Sequence, residues 1–211
     1  MNSADTVSAG AFSVWLRGLG QALRGEVDSD VPCGSCTACC TSAQFVHIGP
    51  DETDTLAHIP RELLFAAPRM PRGHVLMGYD EHGRCPMLVG GACSIYAHRP
   101  RTCRTYDCRV FPAAGVEPDD DKVLIAEQVK RWRFEHPTDV DRVEHDATHA
   151  AAAWVRDHAA SLPPDARPQT ANQLAVLAIE IHDAFIGTDA SGRPVLVDPD
   201  PAVVQVAINR R

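Results

Sequence analysis

The stretch Cys33-Gly34-Ser35-Cys36-Thr37-Ala38-Cys39-Cys40 decides how this chain is read. Thiolate is a soft ligand that selects zinc, copper(I) or iron–sulfur centres. Cys33, Cys36 and Cys39 recur at every third residue, so a turn of backbone can aim successive sulfurs at one point. Bacterial iron–sulfur ligand runs use the same two-residue gap, with a distant Cys as a further ligand. Cys40 is a separate case. Adjacent Cα atoms are only about 3.8 Å apart and extended side chains alternate in direction, so Cys39 and Cys40 are expected to point apart, with Cys40 serving a second site or another metal of a polynuclear one.

Working outward, Cys85, Cys93, Cys103 and Cys108 bring the total to 8 cysteines, which suits two four-coordinate sites. A division consistent with the spacing puts Cys33, Cys36, Cys39 and Cys85 around one centre and Cys40, Cys93, Cys103 and Cys108 around the other. The second group lies in an Arg-rich loop. There Arg99, Arg101 and Arg104 are expected either to donate hydrogen bonds to sulfur and offset the charge of a thiolate site, or to hold an anion.

Bulk properties bound the alternatives. With 211 residues, 45% apolar and 23% charged, the composition is that of a soluble globular protein. A net charge of −8 repels phosphate, so neither nucleic acid nor an anionic membrane is expected as a partner. The first twenty residues lack a basic leader region, and no apolar run approaches the roughly 18 residues of a membrane helix. A cytoplasmic location follows as the expectation. Thiols stay reduced there, so this many cysteines favour metal over disulfides.

The periodicity predicts an α+β fold: a Cys-rich, metal-stapled lobe with short strands, then a mainly helical C-terminal lobe. The expected division is an N-terminal helix within residues 1–30, a cysteine-cluster region over 31–112, and a helical region over 113–211. Helices are read at Ala11–Arg24, from Asp51 to about His58, from Asp119 to about Phe134, at Asp139–Ser161 and at Gln169–Ile186. Strands are read at Ala43–Ile48, in a meander of His74–Tyr79, Arg84–Val89 and Ala92–Tyr96, and in a terminal pair within Gly192–Ile208. On the Asp139–Ser161 helix the apolar face carries Val140, Val143, Ala147, Ala151, Trp154 and His158, which places His145 and His149 toward solvent. That solvated face is preferred to a metal pair.

Two motifs together resemble a known family. CGSCTACC at Cys33–Cys40 matches the CxxCxxCC signature of the YkgJ-like cysteine-cluster proteins, and CPMLVGGACSIYAHRPRTCRTYDC at Cys85–Cys108 is similar to their second hallmark. Ala92 stands where many members have Gly. The resemblance covers about Val31 to Arg109 and implies chelation of zinc or iron. Some members are associated with flagellin lysine methylation, yet this chain has no Gly-rich strand-to-helix loop for a methyl-donor nucleotide.

The expectation drawn from all of this is a metal-binding protein holding iron–sulfur clusters, favoured over zinc, through eight thiolates. Its partner would be an unidentified protein or small molecule. An iron–sulfur enzyme, either an oxidoreductase or one related to protein methylation, and a redox or metal sensor are the alternatives. Whether the chain is an enzyme is left open by its residues.

Overall fold

The computed structural model describes residues 6–29, 31, 32 and 34–210. Strand β1 (Val7–Ala11) runs directly into helix α1 (Phe12–Leu23). A 3₁₀ turn at Cys39–Thr41 follows, then β2 (Val46–Ile48), α2 (Thr53–His58), β3 (Leu64–Ala66), β4 (Val75–Met77), β5 (Leu88–Val89) and β6 (Ala92–Cys93). After a 3₁₀ turn at Tyr96–His98 come α3 (Arg101–Thr105), α4 (Val110–Ala114), α5 (Val123–Val129), β7 (Trp132–Glu135) and α6 (Asp139–His158). The chain ends with α7 (Ala171–Ile181), β8 (Ile186–Thr188), β9 (Pro194–Leu196) and α8 (Pro201–Asn209). This is an α+β protein with short strands and a mainly helical C-terminal part.

The elements group into two compact units. One consists of Gln21–Asp107 and Asp121–Gln128; the other takes the chain up to Gly20, Cys108–Asp120 and everything from Val129 on.

In the first unit, β4 is the central strand of an antiparallel sheet ordered β2-β4-β3. Val46 and Ile48 are buried and His47 between them is half-buried, the alternation expected of a strand with one face on a core. Val46, Ile48, Ile59, Met77, Met87 and Ile95 form that core; each such side chain contributes about 1.5–3 kcal/mol on burial. The meander read from the sequence is resolved differently. Its first piece becomes β4 and pairs with β2 and β3, while the other two close on themselves as the β5–β6 hairpin. Gly90 and Gly91 form its two-residue turn with φ of +59° and +81°, the paired left-handed geometry that matches strand twist and favours glycine. The Arg-rich loop also acquires structure, since Arg101–Thr105 is helical.

In the second unit, β1 and β7 pair in parallel with Val7 opposite Trp132. Phe12 packs edge-on against Phe134 at 5.0 Å, and Trp15 lies 4.7 Å from Phe134. The helix expected to reach Phe134 therefore stops at Val129 and gives way to a strand. Helix α6 begins with a capping box: Thr138 Oγ1 accepts from the Asp141 N–H, and the Asp141 carboxylate accepts from the Thr138 N–H. Helix α7 is buried on more than one side through Ala175, Leu177, Ala178, Ile179 and Ile181, as its sequence indicates. The terminal strand pair is half right. Pro194–Leu196 is β9, paired with β8, but Pro201–Asn209 is a helix capped by Asp200 with Pro201 in its first turn.

His145 departs from the solvent-facing position read from helical periodicity. It is half-buried, its ring stacked 4.3 Å from Phe12. Its Nε2 lies 3.3 Å from the Pro112 carbonyl oxygen and its Nδ1 lies 2.8 Å from Nε2 of His136. A carbonyl only accepts, so Nε2 of His145 carries the proton and Nδ1 accepts from His136. His149 is exposed, with its Nε2 also 3.3 Å from the Pro112 oxygen.

Candidate metal centre

The two cysteine motifs meet through backbone. The Cys85 N–H donates to the Cys40 carbonyl at 2.7 Å, and the Ala43 N–H donates to the Gly83 carbonyl at 2.9 Å. The return is made by a turn in which Asp80 Oδ1 accepts from the N–H groups of His82 and Arg84. On the other side of this junction, the 3₁₀ turn carrying Cys39 and Cys40 is tied down by Ser42, whose hydroxyl donates to the Ala38 carbonyl at 2.6 Å. Lys122 Nζ donates to the Ser42 carbonyl at 3.0 Å.

The result is a cavity of about 600 Å³ lined by Cys36, Cys39, Cys40, Cys85, Cys93 and Cys103. Apolar groups, Val46, Met77, Met87, Leu88 and Ile95 among them, supply other walls. Cys33 lies outside the described residues. Cys108 belongs to the other unit, where it is buried and its sulfur accepts a hydrogen bond from the Trp132 indole N–H at 3.2 Å. Its neighbour Arg109 reaches the Ala9 carbonyl and lies over the Trp132 ring.

Within the cavity, Cys103 is a thiol strongly affected by its surroundings. Its residue surface is accessible, but the sulfur is surrounded by protein. That burial pushes the thiol up to about 12, with Cys85, Cys40 and Cys93 adding in that order and Arg99 opposing them. Burial also raises Cys85, partly countered by the backbone N–H groups of Met87 and Leu88 that face its sulfur. Such N–H donors favour a thiolate once a cation displaces the proton. Cys36, Cys39, Cys40, Cys85, Cys93 and Cys103 thus share one cavity, which does not itself divide them into two sets.

The three arginines occupy different places. Arg99 lines the cavity, with its guanidinium 3.9 Å from the Tyr96 ring centroid and Nη1 donating to the Tyr96 carbonyl. Arg101 pairs with Asp51 at the surface, and Arg104 lies 3.5 Å from Asp28. The spacing of the sequence could not separate them, because their directions are set by α3 and the preceding turn.

Residues 32–132 match the family model CxxCxxCC, described as a "putative zinc- or iron-chelating domain". This stretch is a CxxCxxCC domain. The match takes in both cysteine motifs and continues to Trp132. No curated protein and no solved structure matches the chain. The donors of the CxxCxxCC domain fit the metals its description gives. Six sulfurs on one partly apolar cavity form a soft donor set in surroundings that strengthen its hold on a cation. Among the described residues no helix is long and apolar enough to cross a membrane.

Proposed function

We propose that the chain is an iron–sulfur protein whose centre is held in the cavity by Cys36, Cys39, Cys40, Cys85, Cys93 and Cys103, with Cys33 completing the motif. One observation carries this reading: six thiols line a single cavity of about 600 Å³. A closed zinc site needs four thiolates around one ion. Six in one chamber provide for a polynuclear centre, and the three-residue step from Cys33 to Cys39 is that of iron–sulfur ligand runs. Reduced thiols in this number suit a cytoplasmic setting. The formal charge of −8 argues against nucleic acid and for a protein or small molecule as partner.

The test is purification without oxygen, followed by measurement of iron, zinc, acid-labile sulfide and the visible spectrum. Brown protein containing iron and sulfide, with absorption that bleaches on reduction, is expected. Colourless protein with stoichiometric zinc and no sulfide would overturn the iron–sulfur reading while leaving a thiolate metal site.

A further inference from the structure

A second set of ligand-type side chains lies outside the cavity and uses no cysteine. Asp54 and His58 stand four residues apart on α2, and His98 ends the 3₁₀ turn that follows β6. One ligand atom from each lies within 4.8 Å of the other two. His98 Nδ1 is 2.7 Å from Asp54 Oδ2, and His58 Nδ1 is 3.9 Å from Asp54 Oδ1. The imidazoles are stacked with centroids 3.6 Å apart and planes 6° from parallel.

Their meeting is imposed by bonds that do not involve the three residues themselves. Buried Glu52 accepts from the Gly49 N–H through Oε1 and from the Arg101 N–H through Oε2. Arg101 also pairs with Asp51, and the Thr102 hydroxyl donates to the His47 carbonyl. These links fasten the start of α3, and with it His98, to the segment that opens α2. A ligand set held by such independent supports is pre-organised, so little ordering cost falls on a bound ion.

The protons present also fit displacement by a cation. His58 Nδ1 lies 2.8 Å from the Asp54 carbonyl oxygen, an acceptor, so it donates there. His98 Nδ1 faces a carboxylate in the same way. Two imidazoles with one carboxylate suit zinc, cobalt(II) or nickel(II), a harder donor set than thiolates.

We propose that Asp54, His58 and His98 form a second metal site, for an exchangeable divalent ion of the zinc class, with its remaining coordination positions open to water. Asp54 and His58 are exposed and His98 is half-buried, so the set is open to an ion from solvent.

Cobalt(II) is the probe, added anaerobically to protein already carrying its thiolate-bound metal. One further equivalent is expected to bind, giving weak visible d–d absorption without a sulfur-to-cobalt charge-transfer band. Asp54→Asn and His58→Ala are expected to weaken that binding by roughly tenfold or more while leaving thiolate-bound metal unchanged. His98→Gln serves as the third variant, preserving bulk beside α3. Absence of a further equivalent at millimolar cobalt, a charge-transfer band on it, or equal affinity in the variants would overturn the site. Because thiolate-bound metal is counted separately in each sample, failure here is distinct from failure of the iron–sulfur reading.

Discussion

The Cys85 N–H donates to the Cys40 carbonyl oxygen at 2.7 Å, joining two cysteine motifs that the sequence keeps far apart. Because the bond is between backbones, the approach of the two side chains survives replacement of either sulfur. Serine substitutions can therefore remove ligands one at a time without dismantling the junction.

Cys40→Ser and Cys103→Ser are each expected to lower bound metal at least several-fold, since both sulfurs line the cavity. Cys108→Ser is expected to keep its metal and to lose stability by about 0.5–1.5 kcal/mol, because it alters the hydrogen bond from Trp132. Metal analysis and urea unfolding of the three variants separate the two kinds of cysteine.

Stripping the metal under reducing conditions is expected to loosen the segment from Val31 to Asp107. Six thiols without a cation lose the crosslink that a shared metal gives the segments carrying them. Limited proteolysis should cut within this segment first, while α6 and α7 resist. Equal resistance of both regions would contradict the role given to the metal.

Asp141→Asn is expected to destabilise the protein by about 1–3 kcal/mol. Burial alone would raise this carboxyl, but hydrogen bonds from Thr138 and the Ser13 N–H hold it well below the usual carboxylate range. The amide keeps the shape and loses a carboxylate oxygen at a helix start. Denaturant titration of the variant measures the loss.

Acidification should weaken the fold in a window set by His145. Burial lowers this imidazole to about 4, and nearby His149 and His136 reinforce the shift against the Pro112 carbonyl and Asp146. Its value in the unfolded chain is about 6.5. Between those values the unfolded state binds more protons, so stability rises with pH across the window and is lost progressively as pH falls through it. The urea midpoint should climb from about pH 4.5 to 6.5, and His145→Asn should flatten that slope.

The cysteine spacing and the amphipathic stretches of α1, α6 and α7 were legible because each is a local pattern. So was the Gly90-Gly91 turn, where two left-handed residues leave few alternatives. What escaped was decided by distant neighbours. Trp132–Glu135 alternates apolar and polar residues over only four positions, too short a pattern to break the helical reading, and β1 lies beside it as its partner. His145 occupies the expected side of its helix, but Phe12 and Pro112 arrive from other elements to cover it. The apolar run before Asn209 suggested a strand, although Asp200-Pro201 already offered a helix start. Asp54 and His58 stand four residues apart, a spacing too common to single them out, and His98 joins them only through the placement of α3.

The parallel pairing of β1 with β7 also dictates an order of events during synthesis. The Ser8 hydroxyl donates to Glu135 at 2.6 Å, across 127 positions. The opening strand must therefore wait for its partner until the whole cysteine segment has left the ribosome. Closing so long a loop is slow, whereas the cysteines of Cys33–Cys40 are neighbours in the chain from the start. Metal capture by these neighbouring cysteines can thus precede completion of the strand pair.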